Sequence, residues 1–137
     1  MKILILKTSV DATFDNLIGD LCNKNHRIIC LVPSSHYAKY KTKYSYVKLI
    51  DIKNEGFYDL PISVMKKLKN QKFDEVYITL SGVVGHNYGN VISILELLKF
   101  KKAFFYNSNG DRIEIPKQNL LFDFLCGFYI CLLNKIC

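Results

Sequence analysis

The sequence predicts an α/β fold, in which helices cover both faces of a mostly parallel, five-stranded sheet as a three-layer sandwich. Short runs of β-branched and aromatic residues alternate along the chain with segments whose apolar residues recur every three or four positions. The 137 residues, half of them apolar, suffice for a single domain with one core, spanning residues 1–137. Right-handed crossovers then favour the strand order 3-2-1-4-5.

The first half of the chain predicts three strands and one helix. Residues 3–6 are an uncharged apolar run, and apolar residues recur at helical spacing between 14 and 22. Residues 27–32 predict a second strand, which Pro33 ends because proline has no N–H to donate. Residues 47–52 alternate polar with apolar side chains, so we expect a third strand near an edge of the sheet.

The second half predicts two more parallel strands and a short antiparallel extension. A proline suits the first turn of a helix over residues 61–68. A buried strand, a glycine-rich loop and a helix then follow one another within residues 75–98. Residues 103–106 predict the fifth strand, and a tight turn at 108–111 leads to a polar-alternating strand at 112–115.

Residues 116–137 predict a C-terminal apolar helix that begins at Pro116. Its apolar run covers residues 120–133, which is shorter than the roughly 20 residues that span a bilayer. The apolar side chains surround this helix, and one packing face cannot bury them all. We therefore expect self-association or docking to a partner protein through residues 116–137, with peripheral membrane contact as the alternative.

Composition restricts the class of partner and the compartment. The net charge of +7 favours an anionic partner, such as a phosphorylated substrate, a nucleic acid or a lipid surface. Five cysteines without a C-x-x-C pair indicate neither a metal site nor a disulfide framework, so we expect reduced thiols and a cytoplasmic protein. The apolar run after Met1 is too short for a signal peptide.

Two loops are expected to form a ligand cleft, because open α/β sheets bind ligands beyond the carboxyl ends of their strands. These loops follow the first and fourth strands. The candidate binding residues are Lys7, Thr8, Ser9, Ser81, Gly82, Gly85, His86, Asn87 and Tyr88. The glycine spacing matches neither the dinucleotide fingerprint nor the P-loop, so no nucleotide cofactor is expected. The alternative for the second loop is a polar tip that binds nothing.

Several segments resemble one enzyme family in the same order along the chain. They are ILILKTSVDATFDNLIGDL, LVPSSHYAKYK, VKLIDI, KFDEVYITLSG and LLKFKKAFFYNSNGD. Up to about Asp111 they are similar to the N-terminal half of the heptosyltransferase-like glycosyltransferases, which have the GT-B fold. The resemblance implies a domain that binds a sugar or sugar-phosphate acceptor. It also implies a donor-binding partner, since the family binds its donor mainly in a second α/β domain.

The resemblance makes Asp11 the candidate catalytic residue. A carboxylate at the end of the first strand is suited to accept the proton of an attacking sugar hydroxyl. The alternative is that Asp11 only caps the following helix.

A different class of function follows from residues 36–48, where lysines and tyrosines interleave. In that hypothesis the chain is a non-enzymatic interaction module, whose basic Lys/Tyr loop docks on an acidic partner or on nucleic acid. The simpler interpretation is a solvated loop between two strands. Nucleic acid is the less favoured of the partners.

Overall fold

The computed structural model describes residues 1–8, 11–22, 25–53, 61–80 and 94–115. Three helices and six strands lie within these ranges. They are β1 (Lys2–Leu6), α1 (Asp11–Cys22), β2 (Arg27–Val32), α2 (Ser34–Lys43), β3 (Lys48–Asp51), α3 (Ile62–Lys69), β4 (Lys72–Thr79), β5 (Lys99–Tyr106) and β6 (Arg112–Ile115).

The strands form a single sheet in the order β3-β2-β1-β4-β5-β6. The first five strands in that order pair in parallel, and β6 pairs antiparallel with β5. The predicted α/β class, the order 3-2-1-4-5 and the antiparallel extension are therefore confirmed. As expected, β3 lies at an edge of the sheet.

Alternate side chains of the strands supply two separate cores. Ile3 and Ile5 face the layer that holds Phe14 of α1 and Tyr40 of α2. The intervening residues Leu4 and Leu6 face the other layer, with Val64 and Leu68 of α3. This burial of apolar side chains on both faces explains why β1 and β2 contain no charged residue after their first position.

Residues 34–43 form helix α2, so the expectation of a loop over residues 36–48 was wrong for most of that segment. The physical reason is the spacing of Tyr40 and Tyr44, which lie one helical turn apart and are both buried. Their rings pack at 4.8 and 6.0 Å from the ring of Phe14, measured between centroids. Burial of these rings offsets the weak helical pattern of the lysine-rich sequence.

Two strands begin four residues earlier than expected. β4 begins at Lys72 and β5 at Lys99, where polar side chains interrupt the apolar pattern. Two of these polar side chains, those of Asp74 and Lys101, form an ion pair across the neighbouring strands, with Lys101 Nζ 3.2 Å from Asp74 Oδ1. Backbone pairing thus extends past the apolar residues that predicted each strand.

Two predicted features lie outside the described residues. They are the glycine-rich loop, with the start of the helix expected after it, and the apolar helix predicted over residues 116–137. The end of the former helix is described, with Ile94 and Leu95 helical and buried. Within the part of the chain that the structure describes, no helix is long and apolar enough to cross a bilayer.

Candidate functional site

The carboxyl ends of β1 and β4 are tied together side by side. The backbone N–H of Thr8 donates to the hydroxyl of Thr79 over 3.2 Å, and the hydroxyl of Thr8 donates to the Thr79 carbonyl. On the other side, the backbone N–H of Lys7 donates to the carbonyl of Leu31 in β2 over 3.0 Å. The carboxyl ends of β1 and β4 therefore lie at the same edge of the sheet, as the cleft prediction requires.

Asp11, the first residue of α1, is the centre of a charged cluster at this edge. Its Oδ1 lies 3.2 Å from the ammonium of Lys7 and 3.4 Å from Nδ1 of His36. The hydroxyl of Tyr40 donates to the same oxygen over 2.5 Å. Lys39 donates to Oδ2, also over 2.5 Å. The carboxylate at the start of α1 is therefore shared by Lys7, which directly follows β1, and by groups from α2.

The cluster keeps Asp11 ionised. Hydrogen bonds from Lys39 and Tyr40 hold the pKa of this carboxyl well below its usual range, with a smaller contribution from Lys7 and a partial opposing effect of burial. Burial raises the pKa of Tyr40, and the bond to Asp11 raises it further. Tyr40 is therefore a neutral hydrogen-bond donor at physiological pH.

Lys7 is only 3% exposed, which is unusual for a lysine. Its ammonium lies 5.9 Å from the ring centroid of Phe14 and 5.5 Å from that of Tyr40. The anion of Asp11 and the faces of the two rings compensate the loss of hydration. A positive charge is thus held at the end of the central strand.

A second cluster with the same composition lies one helical turn further along both helices. Lys43 donates to Asp15 Oδ2 over 2.9 Å, and the hydroxyl of Tyr44 donates to Asp15 Oδ1. Burial and this bond raise the pKa of Tyr44. In the described residues, no other lysine, arginine or histidine lies within ion-pair distance of Asp15, whereas Asp11 also has Lys7 and the ring nitrogen of His36 close to it. The Asp15 cluster is therefore a matched reference for the Asp11 cluster.

His36 belongs to the site, and the sequence analysis did not identify it. Its ring stacks on that of Tyr40, with centroids 6.0 Å apart and planes at 20°. Its Nδ1 is buried and has no hydrogen-bond partner in the described chain, although Asp11 is close to it. Lys39 and Tyr40 were likewise assigned to a loop. The available signal was their position directly after β2, whose carboxyl end adjoins that of β1.

The structure brings together three of the predicted site residues, Lys7, Thr8 and Asp11. The other predicted residues lie outside the described ranges. They are Ser9, Ser81, Gly82, Gly85, His86, Asn87 and Tyr88. In the described ranges, no group of three or more His, Cys, Asp or Glu side chains is placed to hold a metal ion.

The arrangement is better suited to binding an anion than to removing a proton. A general base is most effective when its pKa lies near the working pH, and that of Asp11 is held far below it. Within the described residues, two lysines face the carboxylate of Asp11, which gives an incoming anion two positive charges to approach. The role of Asp11 as a general base stays a prediction.

Some of the tyrosines in residues 36–48 are buried in the core. Tyr40 and Tyr44 are buried, and their neighbours Lys39 and Lys43 are ion-paired. Two of the Lys/Tyr pairs that suggested nucleic-acid stacking therefore join α1 to α2.

No protein-family model and no curated protein matches this chain. Any assignment of function therefore rests on the geometry of the Asp11 cluster and on the resemblance noted in the sequence.

Proposed function

We propose that the domain binds a sugar phosphate at the carboxyl ends of β1 and β4, as the N-terminal half of a GT-B glycosyltransferase does with its acceptor. The observation that carries this proposal is the convergence of Lys7, His36 and Lys39 on Asp11 at this edge. This edge is where open α/β sheets bind their ligands.

The charges of the cluster suit a phosphate group. Lys39 is 56% exposed, so its ammonium is accessible to an incoming anion. If Lys39 pairs with a phosphate instead of Asp11, the folded protein loses little stability, because exposed salt bridges contribute little. Lys7 stays fixed below and keeps the local potential positive. The N-terminus of α1, a helix of 12 residues, adds the positive end of its dipole.

The sugar ring would contact neutral and anionic oxygens of the same cluster. The carboxylate of Asp11 is suited to accept hydrogen bonds from sugar hydroxyls. The hydroxyl of Thr8, at the end of β1, donates to the carbonyl of Thr79 and can also accept a hydrogen bond from the ligand. In this proposal Asp11 orients the acceptor hydroxyl and takes its proton only during transfer. Transfer requires a donor-binding partner, a separate protein or a second copy that associates through residues 116–137.

A cytoplasmic location accompanies this proposal. The buried thiol of Cys30 is free, which fits a reducing compartment.

The proposal is tested by titrating the full chain with glucose 1-phosphate and with inorganic phosphate, followed by backbone NMR shifts. We expect shifts at Thr8, Asp11 and His36. Lys39→Ala should weaken binding of the sugar phosphate by about tenfold, because a charge-assisted hydrogen bond is lost. Lys43→Ala removes the equivalent ion pair in the reference cluster and should change binding less than about twofold.

Equal weakening by the two variants would show that the Asp11 cluster is not the binding site. Shifts confined to other parts of the chain would lead to the same conclusion. Equal affinity for inorganic phosphate and the sugar phosphate would restrict the site to anion binding without recognition of the sugar.

A further inference from the structure

Each of the five parallel strands begins with a basic residue. In sheet order these residues are Lys48, Arg27, Lys2, Lys72 and Lys99. Neighbouring strands lie about 4.8 Å apart, so this row of positive charges extends roughly 19 Å across the sheet. The row is oblique, because Lys48 lies beside Ile29, two residues into β2, and Ile3 lies beside Glu75, three residues into β4. It lies at the amino-end edge of the sheet, opposite the Asp11 cluster.

The helices add further charge to the same edge, because each helix runs back from the carboxyl ends of the strands to their amino ends. The last turn of α2 contains Lys41 and Lys43, and that of α3 contains Lys66, Lys67 and Lys69. Together with the strand starts, this makes ten Lys and Arg residues in the part of the chain that the structure describes. Of these ten, Lys43 pairs with a carboxylate, that of Asp15.

Several of these charges have no internal role. Lys72 and Lys99 are exposed and directly opposite each other in the β4–β5 register, an unfavourable pairing of like charges. Within the described residues, no carboxylate pairs with either of them. Asp74, the acidic residue nearest in β4, pairs with Lys101 instead. A pairing that weakens the sheet is consistent with a contact made outside the chain.

Exposed apolar side chains lie at both ends of the row. Tyr46 is 60% exposed and Leu97 is 55% exposed. Each precedes a buried apolar residue and then the exposed lysine that begins its strand, in the triplets 46–48 and 97–99. Apolar or aromatic side chains beside lysines are typical of surfaces that lie in the interfacial region of a membrane.

We propose that this amino-end edge binds the headgroups of an anionic lipid surface, with Tyr46 and Leu97 inserted at the level of the headgroups. Each lysine near an anionic membrane surface adds its own favourable contribution to the binding free energy. A nucleic acid would also pair with the lysines, but an exposed leucine gains nothing on a phosphate backbone. The ligand site at the opposite edge would then face away from the membrane. The inference does not depend on what that site binds.

The test is co-sedimentation of the full chain with phosphatidylcholine vesicles that contain or lack phosphatidylglycerol. We expect binding only to the anionic vesicles, decreasing as salt is raised. The charge reversals Lys72→Glu and Lys99→Glu together should weaken this binding at least about tenfold. The control combines Lys53→Glu with Arg112→Glu, which changes the net charge from +7 by the same amount away from the row. It should change binding less than about threefold.

A second pair of substitutions distinguishes lipid from nucleic acid. Tyr46→Ser with Leu97→Ser should weaken vesicle binding about tenfold while leaving the net charge unchanged. The proposal is overturned if anionic vesicles do not bind at low salt, or if both charge variants weaken binding equally. It is also overturned if duplex DNA binds at least as tightly as the vesicles and the serine variants bind vesicles like the wild type.

Discussion

Replacing Asp11 by Asn tests how much the carboxylate beside the buried Lys7 contributes to the stability of the fold. The same substitution at Asp15 is the reference. Both aspartates accept one lysine and one tyrosine from α2. Both substitutions keep an acceptor oxygen and remove the charge. Asp11 also pairs with the buried Lys7 and lies close to His36, so the difference between the variants measures these additional contacts.

The size of the difference follows from burial. Breaking a buried ion pair costs about 3–5 kcal/mol, because it leaves a charge in the interior without its partner. Lys7 is buried, but Asp11 is 35% exposed and partly screened. We therefore expect Asp11→Asn to be destabilising by about 2 kcal/mol more than Asp15→Asn. For a chain of this size, that corresponds to a difference of about 6 °C in Tm.

Urea unfolding followed by circular dichroism measures the free energy of unfolding of both variants. The pH dependence of that free energy is a second test. The folded pKa of Asp11 is lowered, so its contribution to stability is complete above the ordinary carboxyl pKa of about 3.9. That contribution is lost as pH falls through the lowered folded value. The advantage of the wild type over Asp11→Asn should therefore be constant from pH 5 to pH 7 and shrink below about pH 4.

Free energies of unfolding that agree within about 0.5 kcal/mol between the two variants would refute this reasoning. Lys7 would then be compensated by its other surroundings, and Asp11 would be equivalent to Asp15 in the packing of α1 on α2.

Two further predictions concern the glycines and the thiols. Gly110→Ala should be destabilising by about 1 kcal/mol, because Gly110 has a φ of +82°. Gly19→Ala, in the interior of α1 with no atom near the added methyl group, should instead be stabilising by up to about 1 kcal/mol in the same urea unfolding assay. Burial raises the pKa of the Cys30 thiol, so maleimide labelling mapped by mass spectrometry should modify exposed Cys22 in the native state and Cys30 only after unfolding. Labelling of native Cys30 at the rate of Cys22 would contradict its burial.

The sheet could be predicted from sequence because its signals are local. Each parallel strand contains a short apolar run, and handedness leaves few ways to order five such strands. Lys48 and Asp51 correctly placed β3 at an edge, since both need solvent or a polar partner. The early starts of β4 and β5 could not be predicted, because Lys72 and Lys99 join the sheet through backbone pairing alone.

Of the site, only the residues that directly follow β1 could be predicted from the sequence. Lys7, Thr8 and Asp11 were identified because they follow β1 directly. His36 was missed and Lys39 was assigned to a basic loop, because their positions depend on α2, whose helical spacing is formed by two tyrosines among lysines. The helix forms because those rings pack on Phe14, a residue 26 positions away from Tyr40 in the chain. Local patterns do not contain that information.

Comparison of the Asp11 and Asp15 clusters indicates which charges the packing of α1 on α2 requires. Asp15, Lys43 and Tyr44 join α1 to α2 without any buried lysine. The fold could end β1 with another apolar residue, as it does at Ile5 and Leu6, and avoid the desolvation of an ammonium group. Lys7 therefore adds positive charge at the carboxyl edge beyond what the contact between α1 and α2 needs. A charge that the packing does not require, held where open sheets bind ligands, favours a role in binding over a purely structural one.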